Sequence, residues 1–99
     1  MSVLFIAEIA EITDPDLYGE YVRQVPGVIA KYGGRYVVRG GNPRPVFGDW
    51  NPSRMIVLDF ADEKAAKACF GSQEYQRIAP LRERSTVSRS VIVDRLAGG

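Results

Sequence analysis

A short strand segment between two pairs of glycines constrains this chain more than any other feature. The glycine pairs occupy positions 33–34 and 40–41, and glycine permits the positive-φ turns at which a strand begins and ends. Aromatic and β-branched residues between them favour extended backbone, so Arg35, Val37 and Arg39 are expected to share one face. A strand face with two charged side chains is expected to contribute to an interface or to the wall of a cavity.

Strand and helix patterns follow one another in the order β-α-β-β-α-β. Strands are predicted at 3–9, 34–41, 55–60 and 88–94, a first helix at 15–33 with a kink or restart at Pro26, and two short helical segments capped by Asp62 and Ser72. A tail of small residues follows the last strand. This order predicts an α+β, ferredoxin-like fold, with a four-stranded antiparallel sheet of order 4-1-3-2 and the helices on one face. Residues 1–99 are expected to form one domain.

Alternation along the strands divides the predicted sheet into a helix-covered face and an open face. The helix-covered face is assigned Phe5, Ala7, Ile9, Tyr36, Val38, Ile56, Leu58, Phe60, Val91 and Val93. The open face is assigned Leu4, Ile6, Glu8, Arg35, Val37, Arg39, Met55, Val57, Asp59, Ser90, Ile92 and Asp94. About half of the open-face residues are large and apolar, which is more than a solvated face carries. We therefore expect a second copy of the sheet to cover it in a homodimer.

Composition argues against several kinds of function. A formal net charge of +1 provides no overall field for nucleic acid or membrane binding. No apolar run approaches the roughly 20 residues of a membrane helix, and the single cysteine fits a reducing compartment, so a cytoplasmic location is expected. Because the chain has no histidine, it lacks the usual ligand of transition metals and haem, and no metal or other cofactor is expected.

The most promising candidate site lies where the second strand ends and the long loop 42–53 begins. In the predicted sheet, Glu8 and Arg39 both lie beside the start of the third strand, and the loop brings Asp49 and Trp50 to the same end. Arg39 would then anchor an anion, Glu8 or Asp49 would accept a proton, and Trp50 would form a wall. Alternatively, Arg39 only pairs with one of these carboxylates and Trp50 closes the mouth of a barrel.

The remaining polar residues have simpler interpretations. Arg35 and Asp59 are expected to form a cross-strand ion pair that sets the register. Tyr75 could donate a phenolic hydrogen bond into a cavity, although packing is the commoner role of such a tyrosine. Tyr18 and Tyr21 lie on the apolar stripe of the first helix and are assigned to the core, as is Cys69. Arg82 is expected to be solvated or to lie at a dimer edge.

Several short segments together resemble the family called domain of unknown function 1330, in the dimeric α+β barrel superfamily. They are Asp14-Pro15 with Tyr18 and Tyr21, the residues 31–34 with 39–41, Gly48-Asp49-Trp50, Arg54 before 57–60, and 72–75. Gln73 stands where this family often has proline. The resemblance implies a barrel-forming dimer. It supplies no substrate, although the superfamily includes monooxygenases that use neither metal nor flavin, haem-degrading enzymes and small-molecule isomerases.

Two kinds of function remain open from the sequence. The first is a binding protein or cofactor-free enzyme that takes a small, anionic organic molecule into each barrel of a homodimer. The second is a structural or interaction dimer without catalytic activity, in which the charged sheet face only fixes the pairing of the subunits. The sequence does not decide whether the protein is an enzyme.

Overall fold

Four antiparallel strands and three helices make up residues 1–97, the part of the chain that this computed structural model describes. The elements are β1 (Val3–Ile12), α1 (Pro15–Lys31), β2 (Arg35–Gly40), β3 (Arg54–Phe60), α2 (Glu63–Phe70), α3 (Gln73–Glu83) and β4 (Thr86–Asp94). The sheet has the order β2-β3-β1-β4, which is the predicted order 4-1-3-2 read from the other edge. The last two glycines of the predicted tail lie outside the described residues.

Each helix begins at a side chain that caps the first free backbone amides. The carboxylate of Asp14 accepts a hydrogen bond from the backbone of Leu17 at 3.1 Å, and that of Asp62 accepts one from Ala65 at 2.7 Å. Ser72 caps α3 in the same way, which confirms the caps expected from the sequence. Among residues 1–97, no helix is both long enough and apolar enough to cross a membrane.

Helix α1 continues through Pro26, so the expected restart at this proline does not occur. Proline lacks the amide hydrogen that would bond to the preceding turn. However, Val25 and Ile29 on either side of it are buried against the sheet. Their packing keeps the backbone in one helix, because most helical stability in a folded protein comes from the buried face.

The largest departure from the predicted fold is a β-bulge in β2. Arg35 and Tyr36 pair with Asp59 and Leu58, but the next pairs are Val38 with Val57 and Arg39 with Ile56. One extra residue in β2 therefore moves Val38 to the open face and Arg39 to the helix-covered face. The prediction that Arg39 lies on the open face is wrong, because the period of two does not hold across a bulge.

Strand β4 also has the reverse of its predicted orientation. Ile92 pairs with Phe5 and packs against the core, whereas Val91 and Val93 are 56% and 39% exposed on the open face. Residues 91–93 are all β-branched and apolar, so their sequence does not show which face is buried. Pairing with the central strand β1 decides this instead.

Open-face charges are paired within the chain. Asp59 lies 2.8 Å from the guanidinium of Arg35, as predicted, and 3.3 Å from that of Arg95. Glu8 is only 8% exposed, and its carboxylate accepts hydrogen bonds from the Trp50 indole and, at 2.6 Å, from Arg89. Glu8 therefore anchors the long loop between β2 and β3 to this face. These two hydrogen bonds, the one from Trp50 foremost, lower the pKa of the Glu8 carboxyl below its ordinary value.

We expect Gly34→Ala to destabilise the fold by about 1–3 kcal/mol because the core would be overpacked. A methyl group at this position would meet side-chain atoms of Ile29 and Phe60 at 2.7 and 2.8 Å. Urea unfolding at fixed protein concentration measures the effect. Gly27→Ala is the matched control, because apart from its chain neighbours and the nearby backbone of α1 nothing lies within 4 Å of the added carbon, and it should raise stability by about 0.5–1 kcal/mol. Equal stability of the two variants would contradict this account of the core.

Glu8 also gives a prediction for acidic pH. A carboxyl whose pKa is lowered by folding stabilises the fold above its unfolded pKa, and this contribution is lost as the pH falls through the folded value. The emission of Trp50, the sole tryptophan, should therefore stay constant until the pH falls below 4.5, the ordinary value of the carboxyl, and then change. Glu8→Gln should lack this acidic step, whereas Glu20→Gln, at an exposed ion pair, should keep it. An unchanged step in Glu8→Gln would mean that another carboxyl anchors the loop.

Candidate functional site

A cavity of about 380 Å³ lies between the helices and the helix-covered face of the sheet. Apolar and aromatic side chains form most of its wall, among them Phe5 and Ile56 from the sheet and Val22 from α1. This volume is within the range of sites that bind small organic molecules. The cavity lies within a single chain, whereas the sequence predicted a pocket between the end of the second strand and the loop that follows it.

Four arginines lie in the wall of this cavity: Arg39 from β2, Arg54 from β3, Arg82 from α3 and Arg89 from β4. Arg89 forms a salt bridge with Glu8 of the open face, and we call the other three the cavity arginines. The guanidinium carbon of Arg39 lies 4.2 Å from the ring centre of Tyr36, and that of Arg54 lies 5.7 Å from the ring centre of Tyr18. Both distances are within the range of cation–π contacts, which orient a guanidinium without neutralising its charge.

None of the cavity arginines forms a salt bridge with any carboxylate in residues 1–97. The Nε atom of Arg54 is buried and has no hydrogen-bond partner among these residues. The positive charge also acts on the phenols of the cavity wall. Burial raises the pKa of Tyr18 and of Tyr36, and the charge of nearby cavity arginines opposes both shifts. Basic side chains therefore outnumber acidic ones in the cavity wall, where Glu83 is the one carboxylate and forms no salt bridge with the cavity arginines.

Two phenols and one arginine form a hydrogen-bonded group at the α1–α3 side of the cavity. The hydroxyl oxygens of Tyr21 and Tyr75 lie 2.9 Å apart, and both side chains are at least nine-tenths buried. Arg82 donates through Nε to the Tyr75 oxygen at 3.3 Å and through Nη1 to Ser88 at 3.0 Å. Burial, followed by the contact with Tyr75, raises the pKa of Tyr21 above its ordinary value. Tyr21 is therefore a neutral phenol at physiological pH.

The structure brings together only part of the predicted site. Glu8 and Trp50 are in contact, as the sequence suggested, but they lie on the open face. Arg39 lies on the other side of the sheet because of the bulge, so its expected cluster with Glu8 does not form. Asp49 is exposed in the loop. Tyr75 lies in the wall of the cavity.

The sequence interpretation assigned no cavity role to Arg54, Arg82 or Tyr21, although signals for two of them were present. Arg54 alternates with Ile56 and Leu58 along β3, which places it on the helix-covered face. Arg82 follows Tyr75 by seven residues in α3, a spacing that puts both on one helix face. Arginine is usually solvated, so position on a strand or helix is a weak signal for a cavity role of this residue type.

The structure offers no obvious metal site or cysteine nucleophile within residues 1–97. No group of three or more Cys, Asp or Glu side chains is placed to hold a metal ion in this part of the chain. Cys69 is fully buried, and burial raises the pKa of its thiol to about 11. The thiolate is the reactive form, and Cys69 stays protonated at neutral pH. Cys69 is therefore an unreactive residue of the core.

Comparison with solved structures shows the same fold in proteins of low sequence identity. A protein of unknown function from Rhodopseudomonas palustris has a TM-score of 0.76 at 16% identity, over 96% of this chain and 82% of that one. A dimeric ferredoxin-like protein of unknown function from Jannaschia sp. CCS1 has a TM-score of 0.72 at 13% identity, over 96% and 100%. SnoaB, a cofactor-independent oxygenase from Streptomyces nogalater, has a TM-score of 0.66 at 11% identity, over 95% and 92%. At these identities the likeness shows the fold alone.

Comparison with protein families gives a match over nearly the whole chain. No curated protein matches it. The model of the family described as Domain of unknown function (DUF1330) matches residues 2–96, in agreement with the resemblance of the individual segments. The chain belongs to the DUF1330 family.

Proposed function

We propose that this protein binds a small organic anion in the cavity between its helices and its sheet. The observation that carries the proposal is the set of three cavity arginines, which have no carboxylate partner among residues 1–97. Arg54 and Arg82 are half-buried and Arg39 is exposed. A guanidinium that is partly removed from water and left without a salt bridge is unfavourable, and an anion that enters the cavity relieves this cost for Arg54 and Arg82. The planar fork of guanidinium suits carboxylate, enolate and phenolate oxygens.

The apolar part of the wall supports an organic ligand rather than an inorganic ion. Phe5, Val22, Ile56 and Tyr36 would contact the carbon skeleton, and apolar contact of this kind contributes roughly 25 cal/mol per Å² of buried surface. The proposal covers both a binding protein and a cofactor-free enzyme, because both need the same anion site. A cofactor-independent oxygenase and a putative antibiotic biosynthesis monooxygenase from Nitrosomonas europaea share the fold, which is compatible with either.

A homodimer formed through the open faces of two sheets is the second part of the proposal. The open face carries the half-buried Leu4 and Val57 and the exposed Val37, Val91 and Val93, so water contacts a continuous apolar surface in the isolated chain. Its carboxylates Glu8 and Asp59 already have arginine partners, so a second sheet can cover them without leaving a lone charge. The neighbour described as a dimeric ferredoxin-like protein supports a dimer for this fold.

The pairing of open-face charges also supports the alternative function, a structural dimer without a ligand. Arg35 with Asp59 and Arg89 with Glu8 are satisfied inside one chain, as expected if they only set register and orientation. We propose neither a nucleic-acid nor a membrane partner, because the net charge is +1. A reducing cytoplasm fits the single, buried cysteine.

The anion site is tested by calorimetric titration with para-isopropylbenzoate and its neutral amide. We expect the benzoate to bind and the amide to bind at least about tenfold more weakly, because a charge-assisted contact contributes roughly 1.5–3 kcal/mol. Arg39→Ala and Arg54→Ala should each weaken the benzoate by about one to two powers of ten, with Arg39→Lys between wild type and Arg39→Ala. Arg77→Ala, on the exposed side of α3, is the matched control. Absence of benzoate binding at millimolar concentration, or equal binding of the amide, would contradict the proposal.

Val57→Glu should separate the proposed dimer. The change places two uncompensated carboxylates at the centre of the interface, where burial of an unpaired charge costs several kcal/mol. Light scattering should show a change from a dimer to a species of 11.0 kDa. Ala68→Glu, an equivalent change at an exposed position of α2, should leave the dimer intact. A wild-type protein that is monomeric at micromolar concentration would rule out the homodimer.

A further inference from the structure

The hydroxyl pair of Tyr21 and Tyr75 contains one more hydrogen than its known contacts use. Each phenol carries one O–H donor. The hydroxyls lie within hydrogen-bond distance of each other, so one of the two hydrogens occupies the bond between them. Arg82 donates to the Tyr75 oxygen and therefore supplies a third hydrogen rather than an acceptor.

Whichever of the two hydroxyls donates to the other, one phenol hydrogen has no acceptor. If Tyr75 donates to Tyr21, the hydrogen of Tyr21 has no acceptor. If Tyr21 donates to Tyr75, the Tyr75 oxygen accepts twice and its own hydrogen has no acceptor. Neither hydroxyl has a hydrogen bond to any other acceptor among residues 1–97. The two residues are 9% and 6% exposed and both line the cavity, so the acceptor of the surplus hydrogen belongs to whatever occupies the cavity.

We propose that the surplus hydrogen donates to a neutral oxygen, of the carbonyl type, on the anion that the cavity binds. This inference rests on the proposed function and narrows the ligand to organic anions that carry a second oxygen acceptor. Arg39 and Arg54 would bind the charged group, and the phenol pair would bind the carbonyl oxygen.

Arg82 strengthens the proposed donor without becoming part of the binding contact. A donated hydrogen bond from a cation polarises the Tyr75 hydroxyl, and bonds in such a chain reinforce one another. The raised pKa of Tyr21 keeps the phenol hydrogen in place throughout the physiological range. A neutral acceptor also suits this part of the wall better than a second carboxylate, because it avoids burial of another charge.

A pair of nearly equal-sized probes tests the assignment. Acetylbenzoate and isopropylbenzoate carry the same carboxylate and ring, but only the acetyl group has a carbonyl oxygen, and their para and meta isomers give two separations between the groups. For at least one isomer, the acetyl probe should bind the wild-type protein about three- to tenfold more tightly than the isopropyl probe. Equal affinities for both isomers would overturn the inference.

Substitution of the phenols completes the test. The double variant Tyr21→Phe with Tyr75→Phe should bring the ratio of the two affinities close to one and leave the affinity for isopropylbenzoate little changed. Each single variant retains one hydroxyl with a free hydrogen and should show an intermediate ratio, which provides the readout if the double variant does not fold. Leu17→Ala, at a half-buried position of α1 outside the cavity wall, should keep the wild-type ratio.

The two proposals fail in different ways. Loss of anion binding on Arg39→Ala together with equal affinities for acetyl and isopropyl probes would keep the anion site and reject the phenol contact. Failure of both benzoates to bind would reject the anion site itself. The double variant could instead still bind acetylbenzoate more tightly than isopropylbenzoate. Another group would then donate to the carbonyl oxygen, and the role of the phenol pair would be overturned.

Discussion

The β-bulge in β2 is the constraint on which the rest of the site depends. One extra residue between Tyr36 and Val38 shifts the alternation of the strand, so Arg39 enters the helix-covered side and stacks on Tyr36. With regular alternation, Arg39 would pair with Met55 on the open face, and the cavity would lose one of its three cavity arginines. Bulges commonly redirect a side chain at a functional position without changing the fold.

As a result, the two faces of the sheet differ in how their charged side chains are paired. On the open face, Glu8 and Asp59 each have arginine partners, and the surrounding residues are apolar. On the helix-covered side, the cavity arginines have aromatic neighbours and no carboxylate partner among the described residues. The first arrangement suits permanent burial against another protein surface. The second suits an anion that enters and leaves.

A cavity with this composition lowers the stability of the folded chain. A void of about 380 Å³ forgoes packing contacts, and the half-buried guanidinium groups of Arg54 and Arg82 lose hydration without gaining a salt bridge. The dense core formed by Phe60, Ile29 and Cys69 beside it offsets part of this cost. Such an arrangement is common where function rather than stability has selected the residues, because binding sites often break the local rules of packing.

The sequence by itself determined the order of the elements, the strand order and the helix caps. These follow from local signals, such as Asp14 before Pro15 and the glycines at 33–34, whose effect on the backbone does not depend on the rest of the chain. It also determined that the chain has no histidine to act as a base or a metal ligand.

Tertiary structure alone decided the bulge, the orientation of β4 and the meeting of Arg39, Arg54 and Arg82. In β4, residues 91–93 are apolar throughout, so burial is nearly as favourable in either orientation until pairing with β1 selects one. The three arginines come from different elements, and only the packing of helices on the sheet brings their charges to one cavity.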